Sequence, residues 1–419
     1  MAPRTLTIPQ LGAVMAGNGL EFYDFLIFGF FAVQIGAVFF PNQDPTTSLL
    51  QTLAIFGVGF LTRPLGGAVI GPLGDRIGRK PAMLFCFGLM GFSILGMALT
   101  PSFASIGWAA PVLVVIFRLL QGFALGGEVG PATAYLMEAA PAHKRGLYVS
   151  LQFATQQAAI LTAGLVGVVL SSLLSPQDLN QWGWRIAMLL GVTVVPFALV
   201  MRRSLPETLE LRADTVRQPL TSAHLWLALV TVAMLASATI ATFTMTYMNI
   251  FATHTLGFTS ALAFGAVVVS GSCGVIFNPL GGWLSDRIGR KPVMMTASGL
   301  LCLVGIPCFI LMSQLRTPWA LYAGTALMSI LLSLSLPAIM SSLSESLPQH
   351  MRSGGIGIIY AVAISTFGGT APFVATWLTA ASGSPLAPSW YMCGALVVGM
   401  CGMILMRETA PVKTGQVIR

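Results

Sequence analysis

Five ionisable side chains sit inside long apolar stretches: Glu21, Asp24, Arg63, Arg118 and Glu128. A charge at bilayer depth costs several kcal/mol unless it is paired or hydrated, so each is a functional candidate. A carboxylate there can bind and release a cation, and a guanidinium can hold an anion. Helical rise sets their depths. Counting from Leu11 at one face, Asp24 lies about 20 Å up; counting from Pro111 at the other, Arg118 lies roughly 10 Å down. In a core about 30 Å thick these levels coincide, so an Asp24–Arg118 pair is expected. Arg118 would keep Asp24 ionised. An anionic substrate competing for Arg118 would remove that support, and the carboxylate would take up a proton. Substrate and proton affinities would then be linked reciprocally.

Arg63, roughly 20 Å below the outer end of its stretch, and Glu128, roughly 25 Å below Pro111, approach the same inner level. They form a second candidate pair, as an inner gate, a second charge site at which Glu128 joins the proton coupling, or a plain salt bridge. Glu21 lies one helical turn from Asp24 and can pair with Arg63 or carry the proton itself. The spacing leaves open which of Glu21 and Asp24 is the proton carrier. A further set of polar residues interrupts apolar helices: Gln152, Thr155, Gln156, Thr242, Thr244, Tyr247, Asn249, Asn278, Ser333, Ser335 and Ser365. Each can bond a substrate carboxylate or hydroxyl, or tie helices together. Arg118 and Arg63 are the candidate substrate-binding cations; Tyr247 and Gln156 are the foremost polar binding candidates, with Gln152, Asn249 and Asn278 beside them.

The elements that must position these groups are membrane spans. Of 419 residues, 55% are hydrophobic and 8% charged, against about 25% charged in soluble domains. A soluble globular protein is thereby excluded, and the net charge of +8 points to basic loops beside a bilayer rather than to nucleic acid. A span needs roughly 20 apolar residues. Such runs occur near 11–40, 49–72, 82–100, 109–138, 146–173, 185–202, 224–251, 260–283, 292–313, 317–344, 353–379 and 389–407. They are too long for barrel strands. With the N-terminus inside, 17 of the 21 Lys and Arg residues fall in inner segments and 2, Arg185 and Arg316, in outer ones. That asymmetry supports an even number of spans and places both termini in the cytoplasm. Only Arg4 precedes the first run and no small-residue cleavage site follows, so no cleaved leader is expected.

The chain is internally duplicated. Asp75-Arg76-Ile77-Gly78-Arg79-Lys80-Pro81 recurs, residue for residue, as Asp286-Arg287-Ile288-Gly289-Arg290-Lys291-Pro292. Glu138, Pro141, His143 and Arg145 likewise correspond to Glu345, Pro348, His350 and Arg352. The reading is an all-α membrane protein of twelve transmembrane helices in two pseudo-symmetric six-helix bundles, 1–202 and 224–419, joined by a cytoplasmic linker, 203–223. Transporters use such repeats, with the substrate between the halves near the midplane. An enzyme is not expected: there is no GxxxxGK[ST] nucleotide loop and no HExxH. The six cysteines lack metal-ligand spacing, so no metal or cofactor is expected beyond a coupling ion. Gly122-x-x-x-Gly126 reads as a close helix contact.

The pattern Gly71-x-x-x-Asp75-Arg76-x-Gly78-Arg79-Lys80, repeated at Gly282-x-x-x-Asp286-Arg287-x-Gly289-Arg290-Lys291, resembles the signature of the major facilitator superfamily. Asn18-Gly19-Leu20-Glu21-Phe22-Tyr23-Asp24-Phe25, the segment from Arg118 to Glu128, Trp182-Gly183-Trp184-Arg185 and Thr246-Tyr247-Met248 resemble the metabolite:proton symporter family, most of all its citrate/tricarballylate–proton symporters, with α-ketoglutarate permeases next. The resemblance covers nearly the whole chain. It implies the major facilitator fold, spans 1 and 4 as neighbours, and an Asp24–Arg118 pair acting in proton coupling. It also implies that Gly71, Asp75, Arg76, Gly78 and Arg79, with Gly282, Asp286, Arg287, Gly289 and Arg290, latch the outward-open state. The expected function is secondary active, proton-coupled symport of an organic carboxylate (citrate, another tricarboxylate or a dicarboxylate) by a monomer in a bacterial inner membrane. Sodium coupling, or proton symport of a zwitterionic osmolyte, is the alternative. A citrate trianion needs more positive compensation than two intramembrane arginines provide against three acids.

Overall fold

The computed structural model describes residues 18–19, 22–77, 79–126, 136–137, 140–203, 222–347 and 349–415. Glu21, Gly78, Glu128 and Glu138 lie outside the described residues, as do the linker at 204–221 and the side chains of Asp75, Arg76, Arg79, His350 and Arg352. Helices stand at all twelve positions predicted from the apolar runs. They are α1 (Phe22–Phe30) with α2 (Ala32–Phe39), α3 (Pro45–Leu61) with α4 (Arg63–Ile77), α5 (Arg79–Leu99) and α6 (Ala109–Leu125). Next come α7 (Arg145–Leu173), α8 (Trp184–Arg203), α9 (Ser222–Ile250), α10 (Ser260–Ile288), α11 (Arg290–Leu315) and α12 (Pro318–Ser346). The last are α13 (Gln349–Ala363) with α14 (Ala371–Ser382), and α15 (Ala387–Leu405). Among the described residues, eight helices are long and apolar enough to cross a membrane, and the pair α1–α2, bent by 66°, makes a ninth.

The sequence marks where helices start and break. Asp44 caps α3: its carboxylate accepts from the Thr46 and Thr47 backbone N–H groups at 3.1 and 3.0 Å, ahead of Pro45 at the first helical position. The hydrogen bond from the Thr47 hydroxyl, with those backbone bonds, holds this exposed carboxyl below its ordinary 3.8. Five-residue π turns interrupt the ends of α9 (Phe251–Thr255) and the join of α13 and α14 (Ile364–Gly368). Seven of the eight tryptophans are exposed. Trp226 and Trp283 lie toward the end of the bundle that carries the Asp286 loop; Trp108, Trp182, Trp319, Trp377 and Trp390 lie toward the opposite end. Indole rings gather at the two water–lipid boundaries, so these belts fit a membrane-embedded bundle.

Close packing explains much of the glycine content. A Cβ on Gly122 would overlap the Gly59 carbonyl, and one on Gly126 the Arg63 carbonyl, so α6 lies backbone to backbone on α3 and α4. The expected small-residue contact is thus present, and the Thr62 hydroxyl reinforces it by donating to the Leu119 carbonyl at 2.7 Å. The halves meet chiefly along α7 and α10. There Gly271 abuts Leu161, Gly167 abuts Phe264, and Gly282 abuts Gly146 and Ser150. On the other flank, Ser365 donates to the Phe60 carbonyl at 2.9 Å. Near the tryptophan-rich end, Asn249 Nδ2 donates to the Phe30 carbonyl at 2.6 Å. The halves are therefore in contact toward both ends.

Candidate functional site

Arg118 is completely buried where α1, α3 and α6 converge. Its Nη1 donates to Gln121 Oε1 at 2.6 Å and to the Phe25 carbonyl at 3.4 Å; Nη2 donates to the Phe56 carbonyl at 3.3 Å. The guanidinium also lies 4.4 Å from the Phe25 ring centroid, 4.5 Å from Phe28 and 5.1 Å from Phe56. Gln121 extends the clasp by donating to the Asp24 backbone carbonyl at 3.3 Å. An arginine takes this position because its planar fork serves several carbonyls while both faces rest on rings.

The expected Asp24–Arg118 ion pair does not form in this structure. Asp24 is buried, but its carboxylate is directed at α8, where a Cβ on Gly191 would overlap Oδ1, and Oδ1 has no hydrogen-bond partner. Its neighbour Tyr23 ties the same two helices by donating to the Ala187 carbonyl at 3.0 Å. The reason is rotational. Adjacent helical residues point about 100° apart, and Phe25, not Asp24, takes the side that meets Arg118. Depth arithmetic fixed the level of both groups but not their bearing around the helix.

Arg63 is the arginine that reaches the space between the halves. It borders a central cavity of about 60 Å³, its guanidinium 4.4 Å from the centroids of both Phe25 and Phe60. Among the described residues, Arg63 is the one charged side chain on that wall. Gln156 and Gln157 of α7, Thr239 and Thr242 of α9 and Tyr360 of α13 join it. The Tyr360 hydroxyl sits against Gln156, whose Nε2 is buried without a partner. The rest of the wall is mainly aromatic and aliphatic, including Phe22, Phe153 and Phe243. A guanidinium and an open amide N–H in an apolar chamber can hold a carboxylate.

The other predicted residues divide. Gln156, Thr242 and Ser333 line this cavity or a smaller one joined to it. Tyr247 does not: its hydroxyl faces Thr255, Thr376 and Thr379 inside the C-terminal half. Asn249 spans the halves through Phe30, and Asn278 Nδ2 bonds the Gly274 carbonyl of its own helix at 2.8 Å. Gln152 is buried away from the cavity wall. Thr155, Thr244 and Ser335 donate to carbonyls of their own helices, and Ser365 to Phe60. Gln157, Thr239, Thr246 and Tyr360 were missed. The first was hidden beside Gln156, and the last is a polar-tipped ring in an otherwise apolar run.

A second polar cluster lies at the loop end. Gly289, at φ +112°, breaks the chain between α10 and α11. Asp286 accepts from the Gly146 and Leu147 backbone N–H groups, both at 2.9 Å, at the N-terminus of α7. It thus meets the positive end of a helix in the other half. Arg290, fully buried, pairs with Asp286 at 2.7 Å and with Glu345 at 2.9 Å, and also donates to Ser285. Thr409 donates to Glu345 at 2.7 Å. The Glu408 carboxylate receives the N–H groups of Arg290 and Lys291, while Lys291 Nζ donates to the Ile404 and Met406 carbonyls. Burial pushes the Glu408 carboxyl up, but N–H bonds from Ala410, Arg290, Lys291 and Thr409 outweigh it and hold it below 4.5. His254, at the opposite end, is exposed and lies 3.5 Å from the Thr46 hydroxyl.

Comparison with known proteins agrees with this architecture. Residues 10–214 match the family described as "Sugar (and other) transporter", and residues 266–417 match "Major Facilitator Superfamily". The chain is similar to a citrate-proton symporter of Salmonella typhi, 36% identical with 96% of this chain and 94% of that protein covered. It is also similar to a proline/betaine transporter of Escherichia coli (strain K12), 32% identical over 95% of this chain and 83% of that one. Its fold is that of a D-xylose-proton symporter crystal structure, with a TM-score of 0.77 at 18% identity over 98% and 99% of the two chains.

Proposed function

Because the chain belongs to the major facilitator superfamily of membrane transporters, we propose that it imports an organic carboxylate together with protons by alternating access. The observation that carries this reading is Arg63 beside Gln156 Nε2 and Tyr360 in a cavity between the halves. A carboxylate seated there would be held by charge-assisted hydrogen bonds in an apolar chamber. The similarity to a citrate-proton symporter supports both the carboxylate and the proton.

Arg63 replaces Arg118 as the substrate-facing cation in this account, and Arg118 becomes the clasp that fixes α1 against α3 and α6. Asp24 is the proton carrier: a carboxylate at bilayer depth that shares the Phe22–Phe30 helix with the cavity wall. Asp286 with the α7 N-terminus forms the latch between the halves that must part to open the loop end, and Arg290, paired with Glu345, steadies Asp286 from within the C-terminal half. That end is cytoplasmic, the membrane is the bacterial inner membrane, and one copy contains the complete path.

The aromatic wall favours a second reading. Phenylalanine faces hold quaternary ammonium groups, and Phe22, Phe25, Phe60, Phe153 and Phe243 line the cavity beside Arg63. A zwitterionic osmolyte would place its carboxylate on Arg63 and its ammonium on the rings, and the proline/betaine relative lends this weight. The test is uptake of labelled carboxylates, betaine and proline into proteoliposomes under imposed proton or sodium gradients. Carboxylate accumulation driven by an inward proton gradient and collapsed by a protonophore is expected. Accumulation of betaine alone, or drive by sodium alone, would overturn it.

A further inference from the structure

A small void of about 10 Å³ adjoins the central cavity, and the two share Gln157, Ile160, Thr242 and Thr246 as walls. Ser270, Ser329 and Ser333 complete its polar lining. The hydroxyl protons of Thr242, Thr246 and Ser329 are committed. Thr242 donates to the Ala238 carbonyl at 2.8 Å, Thr246 to the Thr242 carbonyl at 3.2 Å, and Ser329 to Ser270 Oγ at 3.0 Å. What these three oxygens have left are lone pairs. Gln157 Oε1, buried and without a partner, adds another acceptor. The adjoining chamber has the opposite character, with the Arg63 guanidinium and the unpartnered Gln156 Nε2. Two consecutive glutamines thus leave an orphaned donor and an orphaned acceptor, and both residues line the central cavity. Each orphaned buried group costs free energy that a complementary ligand atom would recover.

We infer that the two joined cavities form one bipolar site, in which a carboxylate sits at Arg63 and Gln156 while a hydroxyl of the same molecule donates into the Gln157–Thr242–Thr246–Ser333 chamber. The substrate is therefore a hydroxy-carboxylate. This deepens the carboxylate reading above and rests on it. A site with open acceptors discriminates against the analogue lacking the hydroxyl, because the acceptors then stay unpaired.

Matched pairs differing by that one group test the inference: citrate against tricarballylate, and malate against succinate, each competing for proton-driven uptake into proteoliposomes. The wild type should prefer the hydroxylated member of at least one pair by about tenfold, the worth of one buried hydrogen bond. Thr242→Val and Ser333→Ala should each shrink that preference, lowering uptake of the hydroxylated member more than that of its deoxy partner, and a single sharp thermal transition of each purified variant shows that it folds. Equal competition by both members in the wild type would overturn the inference and leave the carboxylate reading standing. No competition by any carboxylate would defeat that reading instead. Sodium-stimulated uptake whose stimulation vanishes in Thr242→Val would make the chamber a cation site, and would overturn the hydroxyl assignment.

Discussion

Among the described residues two arginines, Arg118 and Arg290, are fully buried, and their surroundings differ completely. Arg290, at the loop end, lies between two carboxylates, Asp286 and Glu345, beside a helix N-terminus. Arg118, in the bundle, touches no carboxylate among the described residues and instead rests on carbonyls, an amide and three rings. The first arrangement holds Asp286 against the N-terminus of α7 in the other half, a contact that can part when the halves move. The second offers nothing for a proton or a substrate to displace cheaply, and it welds three helices of one half. A buried charge is thus a candidate for function, but only its partners say whether it is a switch or a fastener.

The largest predicted effect tests the first arrangement. Arg290→Ala leaves Asp286 and Glu345 buried and uncompensated, which should cost about 3–5 kcal/mol of stability, read as a large fall in melting temperature of the purified protein. A near-neutral change would mean the cluster is not paired. Arg118→Lys keeps the charge but loses the planar fork. It should cost about 2–3 kcal/mol as the Phe56 and Phe25 carbonyls lose their donors, whereas a charge-only role predicts little change. For Asp24→Asn, gradient-driven accumulation should disappear while substrate exchange persists. Gly191→Ala, by pushing on the Asp24 carboxylate, should lower accumulation in the same selective way. Retained accumulation in both variants would remove Asp24 from coupling.

The smallest effect concerns pH. Since Glu408 is held below 4.5 in the folded protein, its contribution to stability is complete above that value and is lost as pH falls through the lower folded value. Melting temperatures followed downward from pH 6 should fall less in Glu408→Gln than in the parent protein. Parallel pH profiles for the two would show that the caps on Arg290 and Lys291 carry no such linkage.

The fold was largely legible because apolar length and the duplicated Asp-Arg-Ile-Gly-Arg-Lys-Pro segment are one-dimensional signals. The Gly122–Gly126 contact was readable for the same reason: it depends on residue type and order. The site was legible only in part. Rotation about the helix axis decides whether a residue faces the cavity, and uniformly apolar spans carry almost no periodicity to reveal it. That is why Asp24 was matched to Arg118 by depth while its carboxylate turns to Gly191, and why Tyr247 was placed at the site that Tyr360 occupies. Arg63 was read both as a substrate-binding cation and as half of a gate or salt bridge with Glu128, and its stacking on Phe25 and Phe60 needed three dimensions to appear.

The central claim is that Arg63 meets the carboxylate of the cargo. Equilibrium binding of citrate and malate to purified wild type and Arg63→Ala, by calorimetry in detergent, tests it most directly. The account predicts Kd weakened by tenfold or more for whichever acid the wild type binds, the loss expected for a charge-assisted hydrogen bond of about 1.5–3 kcal/mol. An unchanged Kd in a folded Arg63→Ala protein would contradict it.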